Sequence, residues 1–453
     1  MIMRIPELLA PAGTLDKMRT AFRFGADAVY AGQPRYSLRA RNNEFRLEEL
    51  ATGIAEARQL GKKFFVASNL MPHNAKVDTY LADMEPVIAM QPDALIMADP
   101  GLIMMVRERW PDMPVHLSVQ ANTVNYASVR FWQALGLTRI ILSRELSLDE
   151  IADIRQRCPD IELEVFVHGA LCIAYSGRCL LSGYFNHRDS NQGTCTNSCR
   201  WDYKVHDAEN NDAGDWQTIQ FDARAAMNAP VDLASCGQQQ RHPLADQVYL
   251  IEESERPGEL MPVMEDEHGT YIMNSRDLRA VEHVERLAAM GIDSLKIEGR
   301  TKSAYYVARS VQSYRQAIDD AVAGRPFNPA LLADLEGLAN RGYTDGFYQR
   351  HHTHEYQNYL RGHSESKRSQ YVGDLVGYLG DWAEINVRNH FAVGDQLEIV
   401  HPSGNQTIAL TSMRNLDDLP VSVAPGSGHR VRIQLPGGLE GALVTRLLAG
   451  GQA

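Results

Sequence analysis

Short, nearly continuous apolar runs alternate with amphipathic stretches through the first three hundred residues. Glu7–Ala10, Ala28–Ala31, Lys63–Ser68, Ala94–Ala98, Val115–Val119 and Arg139–Ser143 read as strands, and Glu162–Val167 and Ser294–Glu298 add two more further on. Helical periodicity occupies Thr14–Phe24, Leu47–Leu60, Val77–Met90, Ala127–Leu135 and Ser147–Arg157. Strands that lack polar alternation are covered on both faces, which points to a parallel sheet flanked by helices. Eight such runs predict an α/β fold of the TIM type, a (β/α)8 barrel. The alternative is an open doubly wound sheet. The strand count favours the barrel, as does the turn after the first strand, where Pro11-Ala-Gly13 supplies a single glycine and no dinucleotide fingerprint.

Two stretches depart from this rhythm. A long insertion, about 169–293, precedes the last strand and far exceeds an ordinary loop. Within it, 205–248 reads as an irregular surface excursion and Ile251–Asn274 as a second, charged part. Helices are predicted over Ala304–Val322 and Pro329–Ala339, after which 344–370 is rich in His, Tyr, Ser and Arg and reads as a linker. From 371 the period changes to short alternating strands (Tyr371–Tyr378, Trp382–Val387, Asp395–Ile399, Thr407–Met413, His429–Gln434), which predicts a small C-terminal β-barrel. The division is therefore a barrel domain over 1–343, a linker over 344–370 and a C-terminal domain over 371–453.

Hydrophobic content of 44% and charged content of 23% over 453 residues suit a globular protein with a substantial core. The start, Met1–Ala10, lacks the apolar region of a secretion signal, and Asp99-Pro-Gly101 breaks the most apolar run, Leu95–Val106. A cytoplasmic protein without a membrane partner is the expectation. In a reducing compartment, clustered cysteines point to metal or catalysis rather than disulfides. Cys158 and Cys236 stand apart, whereas Cys172, Cys179, Cys195 and Cys199 fall within 28 positions. Four thiolates suit zinc or an iron–sulfur cluster. Only Cys195 and Cys199 form a short pair, unlike the paired knuckles of zinc sites, so the spacing leans toward a cluster; buried structural thiols are the plain alternative.

Net charge is −12, which argues against a generally basic coat and leaves a local patch open. In a TIM barrel the chemistry sits at the C-terminal ends of the strands. Residues just past those ends are Arg35, Arg39 and Arg41, then Asn69 and His73, Asp99, Gln120 and Asn122, Arg144 and Glu145, His168, and Glu298, Arg300 and Lys302. The cysteine loop adds Arg178, Arg188 and Arg200. This is a basic rim on an acidic protein, suited to carboxylates and phosphates. The plain alternative pairs these arginines with Glu44, Glu145, Asp189 or Glu298 as salt bridges. The expected substrate-binding set is Arg35, Arg39, Arg41, Gln120, Asn122, Arg144, Arg178 and Lys302. The expected catalytic set is Glu298 as base, Arg300 as anion holder and His168 as proton shuttle. Neither His-Glu-x-x-His nor Gly-x-Ser-x-Gly occurs.

Four stretches, Glu164–Ser182, Arg188–Arg200, Glu265–Leu278 and Ser294–Arg300, resemble the signature of the collagenase-like peptidases of unassigned catalytic type. The likeness covers nearly the whole chain. Tyr30–Leu38, Arg41–Phe45 and Glu252–Glu259 bring it nearest to the tRNA-modifying branch of that family. The resemblance implies oxygen-independent hydroxylation of the wobble uridine of tRNA at C5, with prephenate as co-substrate. It also implies a four-iron four-sulfur cluster supplied by the iron–sulfur assembly machinery. Many relatives carry a cysteine after the Arg-Asp-Leu segment, where this chain has Arg279. The ligand set is therefore taken as Cys172, Cys179, Cys195 and Cys199, with Cys236 as the outsider. The alternatives are a non-catalytic iron–sulfur scaffold and a metal-dependent or cysteine peptidase.

Overall fold

The computed structural model describes residues 4–37, 45–70, 72, 74–170, 277–338, 342–349 and 369–448, and seven strands between 171 and 276. Eight parallel strands form a closed ring: β1 (Glu7–Pro11), β2 (Ala28–Gly32), β3 (Lys63–Ser68), β4 (Ala94–Met97), β5 (Val115–Leu117), β6 (Arg139–Ile141), β7 (Glu162–Ala170) and β8 (Ser294–Ile297). Each pairs with its neighbour in order, and β8 closes the ring by pairing with both β7 and β1. The predicted barrel is the observed one. Helices follow the strands: α1 (Leu15–Arg23), α2 (Leu47–Gln59), α3 (Asn74–Ala89), α4 (Pro100–Arg109), α5 (Tyr126–Ala134), α6 (Leu148–Arg157), α7 (Val284–Ala289) and α8 (Ala304–Val322).

The helix starts are written in the sequence. Thr14, Asn125, Ser147 and Ser303 each accept a backbone N–H three residues on, at 2.9–3.3 Å. Such caps contribute about 1 kcal/mol each. Asp99-Pro-Gly101, read above as a break in an apolar run, is itself a helix start. Asp99 accepts from Leu102 N at 2.9 Å, and Pro100 occupies the first turn, where its missing N–H costs nothing.

In the insertion, five strands form an antiparallel sheet in the order Trp216–Ile219, Tyr203–Asn210, Tyr249–Glu253, Leu260–Asp266, Gly269–Ile272. The expected irregular excursion thus begins as a β-hairpin, in which Asp207 pairs with Ile219 and Asn210 with Trp216. Residues 220–248 lie outside the described set.

The C-terminal sheet has seven antiparallel strands, running from Gln406–Ala409 at one edge to Met413–Arg414 at the other. The two edges are not paired with each other among the described residues, so this is a half-barrel, wrapped over Val372, Ile385, Phe391, Ile399, Ile433 and Val444. It is clamped to the (β/α)8 barrel through α8. Arg309 Nη2 reaches both carboxylate oxygens of Glu398 at 2.9 Å, and the Tyr305 and Tyr371 rings stack 5.4 Å apart. Among the described residues, no helix is long and apolar enough to cross a membrane.

Candidate active site at the barrel mouth

Charged side chains point inward from β1, β6, β7 and β8, although the strands that bear them are otherwise largely apolar. Arg139, at the start of β6, donates to Glu7 Oε1 at 2.6 Å, to Glu164 Oε2 at 3.0 Å and to Glu162 Oε2 at 2.8 Å. Lys296 Nζ donates to Glu164 Oε1 at 2.9 Å. Glu164, Arg139 and Lys296 are all buried. Burial alone would push the Arg139 guanidinium down, but Glu164 and Glu7 prevail and hold it above its usual range. For Lys296 burial prevails: its pKa is lowered despite the pull of Glu164. None of this network was anticipated from the sequence. The available signal was a Glu and a Lys at inward positions of two adjacent, otherwise apolar strands.

Above the network lies the mouth. Lys296 Nζ sits 4.4 Å from the centre of the Tyr30 ring, and Arg300 lies 5.9 Å from the same ring. The Arg144 guanidinium stacks on Phe166 at 3.8 Å and approaches Glu298 Oε2 at 3.5 Å. Glu298 also accepts from Gly299 N at 3.2 Å. Cations over ring faces are held by the ring quadrupole where no carboxylate need be close. The mouth thus brings Arg144, Glu298 and Arg300 together, three residues the sequence had placed there. The plain salt-bridge alternative holds for Arg144, whose partner is Glu298.

Two glycines make room for Arg300. A Cβ on Gly32 would stand 2.4 Å from Arg300 Nη1 and 2.5 Å from Ser37 Oγ. A Cβ on Gly13 would stand 2.1 Å from the Arg300 carbonyl oxygen. The single glycine of the first turn therefore serves close backbone approach, not phosphate binding.

His168 is elsewhere. Strand alternation would put it inside the barrel with Glu164 and Phe166. A bulge intervenes: Lys296 pairs with Phe166, but Ile297 pairs with His168. The skipped residue turns His168 to the outer face. Its ring is buried against α8, 5.6 Å from Tyr306 and 5.5 Å from Tyr314, with Nδ1 3.5 Å from Tyr314 Oη. The expected proton shuttle is a packed residue of the strand–helix interface.

The remaining candidates are spread around the rim. Arg35 is bound to Asp83 of α3 at 2.6 Å. Lys302 Nζ lies 5.5 Å from the Tyr306 ring. Gln120 and Asn122 follow β5 on a turn of 3-10 helix, Val119–Ala121. Arg39, Arg41, Cys172, Cys195, Cys199 and Cys236, and the side chains of Arg178 and Cys179, lie outside the described residues. The backbone of Arg178–Cys179 pairs antiparallel with Ala174–Tyr175. Arg279 lies over the Tyr343 ring at 5.1 Å. Cys158 is buried at the end of α6, its Sγ 3.6 Å from Tyr126 O.

Comparison with known proteins agrees with this architecture. The family model described as peptidase family U32 matches residues 13–358, and that of the peptidase family U32 C-terminal domain matches 367–446. The chain is 58% identical over 436 residues to tRNA hydroxylation protein P of Escherichia coli (strain K12), covering 96% of this chain and 95% of that one. The protein of the same name in Haemophilus influenzae is 56% identical over 433 residues, covering 95% and 93%. A collagenase of Porphyromonas gingivalis is 27% identical over 418 residues, covering 88% and 87%. With both family models matched in order along its length, the protein belongs to peptidase family U32.

Proposed function

We propose that this protein hydroxylates tRNA. The observation that carries the reading is end-to-end likeness: more than half of the positions are identical to a tRNA hydroxylation protein along nearly all of both chains. The mouth supports it chemically. Arg144, stacked on Phe166 and against Glu298, and Arg300, beside the Tyr30 ring, form a site for anionic groups. The finer reading is C5 hydroxylation of the wobble uridine with prephenate as co-substrate, Arg300 and Arg144 holding its carboxylates and Glu298 accepting a proton. Cys172, Cys179, Cys195 and Cys199 would hold an iron–sulfur cluster, a donor set of four thiolates that suits it. Such a cluster supplies electron-transfer chemistry. Burial of His168 against α8 counts against a cysteine peptidase that uses it as base.

The test is a deletion strain complemented with this chain, read by nucleoside analysis of its tRNA. Restored hydroxylated uridine is the expected result, with loss in Arg300→Ala. A chain that is well expressed and restores none sinks the reading. Iron and sulfide content of anaerobically purified protein, lost in Cys172→Ala, tests the cluster separately.

A further inference from the structure

The end of β5 carries hydrogen-bonding atoms that the fold does not use. Asn122 leaves the 3-10 turn in the left-handed conformation, φ 58° and ψ 45°. Asparagine is among the few non-glycine residues that take this conformation readily, so the turn is formed at little cost. Its Oδ1 is buried and has no hydrogen-bond partner among the described residues. The next side chain, Thr123, is 1% exposed, and its Oγ1 has no partner among them either. The Thr123 carbonyl, by contrast, is engaged, accepting Ser143 N at 3.1 Å and so tying the end of β5 to the end of β6. Each buried polar atom left unmade costs about 1–3 kcal/mol, and two on adjacent residues call for a reason other than stability.

The chemistry of the segment selects its ligand. Ser118, Gln120, Asn122 and Thr123 are neutral, with the Ser118 hydroxyl donating to Gln120 Oε1 at 3.2 Å. Beyond them Glu145 is buried and accepts the Ser143 hydroxyl. A phosphate or carboxylate offers acceptors only and would leave Asn122 Oδ1 without a donor. Asn122 Oδ1 requires a donor, and the Thr123 hydroxyl supplies one. A nucleobase edge presents a donor beside an acceptor and answers both. We propose that Asn122 and Thr123, with Gln120 beside them, read the edge of the target base once it has been swung out of the RNA, while the Arg144–Arg300 side of the mouth takes anionic groups. This assignment rests on the tRNA reading above and names the part of the mouth that holds the base.

Two substitutions test it in the complemented deletion strain, alongside thermal melting of the purified full chain. Thr123→Val removes a hydroxyl that has no partner in the free protein. Asn122→Gly removes the amide and keeps the left-handed backbone within easy reach. Both variants are expected to melt at or above wild type, while hydroxylated nucleoside falls about tenfold for the loss of a ligand hydrogen bond. Wild-type nucleoside levels in both variants overturn the assignment and leave the tRNA reading intact. Variants that melt well below wild type also overturn it, because the two atoms would then be holding the fold. Failure of the wild-type chain to restore the nucleoside overturns the tRNA reading and this assignment together.

Discussion

The two ends of the same barrel treat charge differently. At the floor, Glu7, Arg139, Glu162, Glu164 and Lys296 are joined by contacts of 2.6–3.0 Å. At the mouth, the Arg144–Glu298 contact is a single one at 3.5 Å, and buried Asn122 and Thr123 atoms have no partner among the described residues. Both ends lie on the same eight strands, so the backbone does not explain the contrast. A network with its members joined holds one arrangement, whereas Asn122 Oδ1 and Thr123 Oγ1 leave bonding capacity at the mouth for something that arrives later. On the function proposed above, the floor serves stability and the mouth chemistry.

The hardest blow to this contrast should come from the floor. Glu164→Ala leaves Arg139 and Lys296 buried without the carboxylate they share. Breaking a buried pair in this way costs about 3–5 kcal/mol. Denaturant unfolding of the purified protein should show that loss, with the remaining folded fraction still able to modify tRNA. A cost near that of a surface pair would mean that the floor is hydrated, and the distinction between the ends would fail.

A smaller effect on stability, with a larger one on function, is expected at the mouth. Gly32→Ala sets a methyl against Arg300 Nη1 and Ser37 Oγ. Overpacking of this kind costs about 1–3 kcal/mol. If the guanidinium is part of the working site, its displacement should lower tRNA hydroxylation about tenfold or more, since misplacing a binding group by about an ångström is costly. Nucleoside levels that merely track the loss in melting temperature would assign Arg300 to packing.

The barrel was legible because its strands are apolar throughout and its helices carry their own caps. Glu298, Arg300 and Arg144 were legible because position after a strand is enough to place a residue at a barrel mouth. What escaped did so for local reasons. Asp99-Pro100 looked like an interruption because a break in hydrophobicity and a helix start use the same residues. His168 was misplaced by one bulged residue, which reverses every inward–outward assignment after it. The floor network was missed because apolar strands do not announce a buried Glu–Lys pair; only their register, Lys296 beside Phe166 and Ser294 beside Glu164, brings the two together.

Acid should expose the floor in the gentlest way. His116 lies inside the barrel on β5, its ring edge-on to Phe65 at 4.7 Å. Burial, then the nearby charges of Arg139, Lys296 and Lys63, push its pKa well below the usual value. The native protein therefore keeps a neutral imidazole, while the unfolded chain takes up a proton near pH 6.5. Below that pH the unfolded state binds one more proton than the native state, so stability falls on acidification by about 1.4 kcal/mol per pH unit. Glu7 acts later. Burial raises its pKa, but Arg139 and Lys63 outweigh this and hold it low, so its stabilisation is present above the unfolded value of 4.5 and is lost as pH falls through the lower folded one. His116→Leu should remove the first phase and leave the second. Urea midpoints between pH 5 and 8 would show it as a flattened slope in the variant. An unchanged slope would mean that His116 takes up a proton in the native barrel, and that the floor has room for a further positive charge beside Arg139 and Lys296.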